Sequence, residues 1–226
     1  ILKKIIIAID GDSSSGKSTL AKALAKKISF KHINTGSMYR AVTHFALLND
    51  LINDDKLKTN EIIKLTETLK FNFKIINQKS FLFVNNINVE KKIKLPIVSN
   101  YVSQVSTIYE IRKNIVSVQR EMGLEKGIVM EGRDIGSVVF PKAELKFFIT
   151  ADINVRAERR YKELNSINIF VDKKDVIENI KQRDYIDKNR DHSPLIMCKD
   201  SILIDNSNLG VEDQIKIIVD YIKKKY

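Results

Sequence analysis

Ile5-Ile6-Ile7-Ala8-Ile9-Asp10-Gly11-Asp12-Ser13-Ser14-Ser15-Gly16-Lys17-Ser18-Thr19-Leu20-Ala21-Lys22-Ala23-Leu24 changes texture twice, and the two changes define a frame. Residues 5–10 are apolar and largely β-branched, which reads as a buried strand. Gly11 through Ser18 fit G-x-x-x-x-G-K-[ST], and apolar residues then recur at helical spacing among lysines. In a strand–loop–helix frame the two glycines let backbone N–H groups curl toward phosphate oxygens, and the helix N-terminus adds positive dipole. Lys17 would reach the β- and γ-phosphates and the Ser18 hydroxyl would ligate Mg²⁺. Gly11, Asp12, Ser13, Ser14, Ser15, Gly16, Lys17, Ser18 and Thr19 are therefore the candidate nucleotide-binding residues.

Glycine is scarce elsewhere. Of 8 glycines, five fall in three short clusters: Gly11 and Gly16, Gly36, and Gly132 and Gly136. Each cluster is expected to mark a turn needing positive φ or close approach of backbone to a ligand. The 226 residues suffice for one sizeable domain with insertions, and 43% hydrophobic with 30% charged residues is a soluble globular composition. No apolar run is long enough to span a bilayer, and the first strand is too short for a signal peptide. Cys198 is the single cysteine, so no internal disulfide can form, which suits a reducing cytoplasm. The net charge of +11 fits either a nucleic-acid face or attraction of a polyanionic small substrate. Lysines are scattered as a compositional background, whereas arginines cluster in the second half at helical spacings.

Five apolar runs, at residues 5–10, 31–34, 127–131, 145–151 and 202–205, are separated mostly by helical patterns. That predicts an α/β fold with a doubly wound, five-stranded parallel sheet. Between the second and third runs lie a predicted helix over 38–48 and a stretch, 71–89, with the alternation of an antiparallel hairpin; helices follow at 95–105 and 108–122. Ligands of open α/β sheets sit outside the carboxyl ends of the strands. Asp10, Thr35, Glu131 to Asp134, and the residues after Thr150 all fall there.

Several constellations carry chemistry. Thr35-Gly36-Ser37-Met38-Tyr39-Arg40 opens a helix with a hydroxyl and an arginine suited to bidentate phosphate contact, or is a capped helix with a surface arginine. Glu131 at a strand end is placed to steer a Mg²⁺ shell; Arg133 and Asp134 beside it read as ligand contacts, with a mutual surface ion pair as the alternative. Arg183, Asp187 and Arg190 share one face of a helix predicted over 174–189, which helix physics alone reads as a solvated, salt-bridged stripe. Arg156, Arg159 and Arg160 follow the fourth strand, and three cations on one turn imply an expected anion.

These motifs, taken in order, resemble the bacterial cytidylate kinase family along nearly the whole chain. The first turn, Thr35-Gly36-Ser37-Met38-Tyr39-Arg40, Gly132-Arg133-Asp134-Ile135-Gly136-Ser137-Val138-Val139-Phe140-Pro141, Arg156-Ala157-Glu158-Arg159-Arg160-Tyr161, and Arg183-Asp184 through Arg190 carry the likeness. The resemblance implies a P-loop kinase with a helical lid, using ATP and Mg²⁺ to phosphorylate CMP or dCMP. Arg40, Arg133 and Arg190 would hold the acceptor phosphate; Ser103, Arg112 and Asp134 would read cytosine; Arg183 and Asp187 would hold the ribose. Lys17, Arg133 and the lid arginines Arg156, Arg159 and Arg160 would act on the donor and the transferring group, with Asp10 and Glu131 in the outer metal shell. It further implies a core of 1–36, 106–155 and 171–226, a monophosphate-binding region of 37–105 and a lid of 156–170. Glu131 and Asn34 replace the family's usual aspartates, and Asp191-His192-Ser193 replaces small apolar residues. A cytoplasmic monomer with neither membrane nor nucleic-acid partner is expected. The rivals are a P-loop kinase with a UMP, AMP or shikimate acceptor, a basic nucleic-acid ATPase, and a non-catalytic nucleotide-binding module.

Overall fold

In a computed structural model describing residues 3–54, 56–77 and 79–226, strand β1 (Ile6–Gly11) is buried at every position. The chain continues through α1 (Lys17–Ile28), β2 (Lys31–Asn34) and α2 (Thr35–Leu48). A small hairpin, β3 (Ile52–Asn53) and β4 (Lys56–Leu57), leads to α3 (Thr59–Thr68). Then come β5 (Phe71–Ile76), β6 (Lys79–Val84), β7 (Ile87–Asn88), α4 (Pro96–Val105) and α5 (Tyr109–Met122). The last stretch holds β8 (Ile128–Glu131), β9 (Leu145–Thr150), α6 (Ile153–Asn165), α7 (Lys173–Asn189), β10 (Ile202–Asp205) and α8 (Val211–Lys225).

The main sheet has five parallel strands in the order β10-β9-β1-β8-β2. β1 pairs with β8 on one side (Ile7 opposite Val129) and with β9 on the other (Ile9 opposite Phe147). A strand with covered faces and a neighbour on each side must be apolar throughout, which is why residues 5–9 do not alternate. Ile5, Ile7, Ile9, Val129, Phe147 and Ile149 share one core with Leu20, Ala21 and Leu24 of α1 and Ile215, Ile218 and Ile222 of α8. The order reverses at β1, so the loops after β1, β8 and β9 leave the sheet at a topological switch point.

Two compact units divide the chain: residues 1–32 with 125–226, and residues 33–124. The second unit has its own core, in which Met38, Val42 and Ala46 of α2 meet Ile62 of α3, Leu82 and Val84 of β6, and Ile111 and Ile115 of α5. α5 lies in the second unit, where Ile111 and Ile115 pack against α2 and α3. Ala157 and Leu164 of α6 pack on Val176 and Ile180 of α7 in a small core of their own.

Within the elements, α2 starts at Thr35 rather than 38, because the Asn34 side chain accepts the Ser37 amide at 3.1 Å and caps the helix. The stretch expected to be a hairpin gains β7, giving the order β5-β6-β7. Gly11 has φ 144°, and a Cβ there would lie 1.9 Å from the Ile149 carbonyl oxygen, so only glycine lets β1 approach β9 at this point. Gly136 has no positive φ; its bare Cα instead leaves room for the Lys146 stem, 3.1 Å from where a Cβ would stand. Among the described residues, no helix is long and apolar enough to cross a membrane.

Candidate active site

The loop between β1 and α1 closes on its own lysine. Gly16 is left-handed, with φ 87°, and turns the chain into the helix. Lys17 is buried, and its ammonium donates to the Asp12 carbonyl and, at 3.2 Å, to Ser15 Oγ. Burial, reinforced by the Arg133 guanidinium, lowers the ammonium to about 7. An incoming polyphosphate would supply the missing counter-charge and restore the proton. Binding of ATP is therefore expected to take up a proton, increasingly from pH 6 to pH 8, with affinity falling as pH rises through 7. Calorimetry in buffers of different ionisation enthalpy checks this; equal heats in all buffers at pH 8, or uptake unchanged in Lys17→Met, would count against it.

Two carboxylates flank the loop. Asp12 accepts from Thr150 Oγ1 at 2.7 Å and faces the Lys188 ammonium at 2.9 Å. Burial pulls its carboxyl upward, but Lys188 and Thr150 more than offset this and hold it below the usual range. Asp10 behaves oppositely: burial raises it to about 6, although its two oxygens accept the amides of Ile135 and Gly136 at 2.9 and 2.7 Å. Asp10 thus anchors the π-helical turn Ile135–Val139. Glu131 ends β8, is buried, and contacts His32 Nε2 at 3.0 Å. Among the described residues no group of three or more His, Cys, Asp or Glu could hold a metal ion alone. A cation beside the exposed Ser18 hydroxyl would need oxygens from a bound phosphate, as Mg²⁺ with nucleotides commonly does.

The helical stripe on α7 is not solvated. Asp187 is 4% exposed; its Oδ2 accepts from Arg133 Nε at 2.8 Å and its Oδ1 lies 3.6 Å from Arg190 NH1. Burial works against the Asp187 charge, but Arg133, Arg190 and Arg183 hold its carboxyl below the usual range. The surface reading of this stripe is therefore corrected, as is the surface Arg133–Asp134 pair: Arg133 turns to Asp187, and Asp134 is buried where the π-helical turn begins. Burial and the nearby Arg133 lower Arg183 to about 10, and its Nε is buried without a hydrogen-bond partner among the described residues. Asp184 and Glu131 also face this cluster, but Arg133, Arg183, Arg190, Arg160 and Lys17 outnumber the three carboxylates, a balance that an anion would even out.

The three arginines of α6 separate. Arg156 is buried and bonded to the Ala151 and Ser13 carbonyls and to Asp184. Arg159 binds Asn206, and Arg160 pairs with Glu163 at 2.7 Å. In the second unit, Thr35 and Ser103 are buried, and Arg40 donates to Ser99 Oγ at 2.9 Å and the Ile93 carbonyl at 3.1 Å. Arg112 is buried with its guanidinium carbon 5.3 Å from the Tyr39 ring centroid, a cation–π contact. Its NH1 donates to the Ser106 carbonyl at 3.0 Å, while Ser106 Oγ donates to the Ser103 carbonyl at 2.8 Å, so one short network ties Ser103 to Arg112. Asp184, Asn206 and Thr150 contribute to the first unit's site without having been singled out from sequence. Thr150 and Asn206 carry a usable signal, since both stand at the carboxyl end of a strand; Asp184 carries none.

Comparison with known proteins agrees with this arrangement. The family described as cytidylate kinase matches residues 7–224. A cytidylate kinase of Flavobacterium psychrophilum is 48% identical over 98% of this chain and 99% of its own. One of Bacteroides fragilis is 45% identical over 94% of each, and one of Clostridium botulinum is 43% identical over 97% of this chain and 98% of its own. Among solved structures, shikimate kinase from Bacteroides thetaiotaomicron superposes with a TM-score of 0.52 at 11% identity, covering 98% of this chain and 99% of that one. At that identity it speaks for the fold alone. A full-length family match and relatives at this identity leave one assignment: the chain belongs to the cytidylate kinase family.

Proposed function

We propose that this chain transfers the γ-phosphate of ATP to CMP or dCMP, giving ADP and CDP or dCDP. The observation that carries the reading is the buried Lys17 loop in one unit with the Arg133–Asp187–Arg190 cluster, a cationic pair of sites suited to two phosphorylated substrates. The acceptor phosphate is already anionic, so no general base is required; catalysis is positioning and charge neutralisation around an in-line transfer. Lys17 and the loop amides would hold the donor phosphates. Arg133 and Arg190, oriented by Asp187, would grip the acceptor phosphate together with Arg40. Ser103, Arg112 and Asp134 would read the cytosine edge, and Asp187 with Arg183 the ribose. Ser18 and the donor phosphates would hold Mg²⁺, with Glu131 behind a water, and the ion would supply further charge neutralisation.

One coupled ADP-release assay tests the whole reading. Turnover with CMP and dCMP should exceed that with UMP, AMP or shikimate, and added DNA or RNA should not stimulate it. A preference for any other acceptor, or nucleic-acid-stimulated hydrolysis without CMP turnover, sinks it.

A further inference from the structure

The loop that would receive ATP is held from behind by side chains remote in sequence. Asp184 on α7 is buried; its Oδ1 accepts the Ser13 amide at 2.8 Å and its Oδ2 pairs with Arg156 NH1 at 2.5 Å. The same Arg156 nitrogen donates to the Ser13 carbonyl at 3.0 Å, and Arg156 Nε donates to the Ala151 carbonyl at 2.9 Å. Both backbone polar groups of Ser13 are thus taken by one ion pair. One turn along α6 the arrangement repeats. Arg159 NH1 donates to Asn206 Oδ1 at 2.8 Å and its NH2 to the Asn206 carbonyl at 2.9 Å. Asn206 Nδ2 in turn donates to the Ser15 carbonyl at 2.8 Å and to Gln214 Oε1 at 3.0 Å.

These brackets do more than fill space. A carboxylate and an amide buried this deeply are costly unless their hydrogen bonds are made, so their geometry is tightly determined. Asn206 is 1% exposed and both polar atoms of its side chain are engaged. The Ser13 N–H points at the Asp184 carboxylate, while the Asp12 and Ser15 amides are held by the Ile149 and Asp12 carbonyls at 3.2 and 3.4 Å. Ser13 is therefore oriented by side chains at both of its backbone polar groups, and Ser15 by Asn206 at its carbonyl together with the loop's own Ser15–Asp12 turn.

The structure assigns Asp184 and Asn206 as positioning residues of the donor site. Through Arg156 and Arg159 they fix the Ser13 and Ser15 peptides, and so set the curvature of the loop before the polyphosphate arrives. The assignment rests on the reading of that loop as the ATP site. It also gives Arg156 and Arg159 a role without lid motion: both are tied to the loop and act through it. Misplacing binding groups by about 1 Å costs on the order of a hundredfold in rate, so a slackened loop should be felt chiefly by the donor.

ATP binding to the unsubstituted chain, Asp184→Ala and Asn206→Ala, measured directly by calorimetry, is the test, together with KM for CMP at saturating ATP. The Kd for ATP is expected to rise about tenfold or more in each variant, with KM for CMP changed less than about twofold. An unchanged ATP Kd in a folded variant overturns the assignment, as do ATP and CMP constants rising together. A purely stabilising role would lower the active fraction, reducing kcat with both KM values unmoved, and that result also overturns it. If circular dichroism shows Asp184→Ala unfolded, Asn206→Ala, which removes no charge, decides alone. Direct ATP binding keeps the two readings apart: a chain that binds ATP yet ignores CMP has lost its acceptor assignment, while the variants still decide this one.

Discussion

Lys17→Ala is expected to lower phosphoryl transfer by on the order of a thousandfold while leaving the fold intact. The side chain is buried in the loop, where its ammonium already meets the Asp12 carbonyl and the Ser15 hydroxyl. A charge held in a dry, preorganised site acts on a developing phosphate charge far more strongly than it would in water. The fold should survive because a buried ammonium lowered to about 7 is itself a desolvation burden, so its removal takes away little net stability. Single-turnover kinetics with ATP and CMP, beside a thermal melt, separate the two statements. A folded variant with unchanged kcat would remove the loop's catalytic assignment.

Asp187→Ala is expected to show the second-largest loss, and of a different kind. Its carboxylate is the acidic partner given to Arg133 Nε, at 2.8 Å, and it also faces Arg190. Removing one partner of a buried ion pair typically destabilises by about 3–5 kcal/mol, against about 1 kcal/mol or less for an exposed one. kcat/KM for CMP should fall tenfold or more, because Arg133 and Arg190 lose the group that orients them. If the carboxylate also holds the ribose, the difference between CMP and dCMP should shrink, since only CMP has the 2′-hydroxyl to lose. A variant with an unchanged melting temperature and undiminished turnover on both substrates would return Asp187 to a passive role.

How much of this was legible beforehand depends on the range of the interaction. The glycine loop between an apolar strand and an amphipathic helix is a local signal, and the five strands fell within two residues of their expected limits. α3 has no counterpart among the expected helices, although Ile62, Ile63 and Leu65 face the second unit's core at helical spacing. Helix physics alone reads Asp187 as solvent-facing because charged residues at helical spacing look alike whether water or Arg133, 54 residues away, is the partner. Asp184 is invisible for a related reason, and for Asn206 only its place at a strand end is legible: both bind backbone groups of the loop, and a peptide N–H or carbonyl leaves no mark in the sequence. The family resemblance supplied Asp187 where helix physics could not, and left Asp184 and Asn206 without a role.

The pairing of β1 has a further consequence for how the molecule is made. Ile6 pairs with Ile128 and Ile7 with Leu145, so β1 leaves the ribosome more than a hundred residues ahead of the strands it pairs with. Residues 33–124, in contrast, are contiguous and enclose a core of their own. Contacts close in sequence form before distant ones, because the entropy of closing a long loop must be overcome first. Nascent chains arrested beyond residue 124 are therefore expected to protect the middle of the sequence from protease while β1 and the glycine loop are still cut. Simultaneous protection of both would mean that the ends and the middle fold as one. On the expected order, nucleotide binding is acquired later than the core of residues 33–124, and an intermediate truncated before β9 would hold a folded core yet capture no ATP.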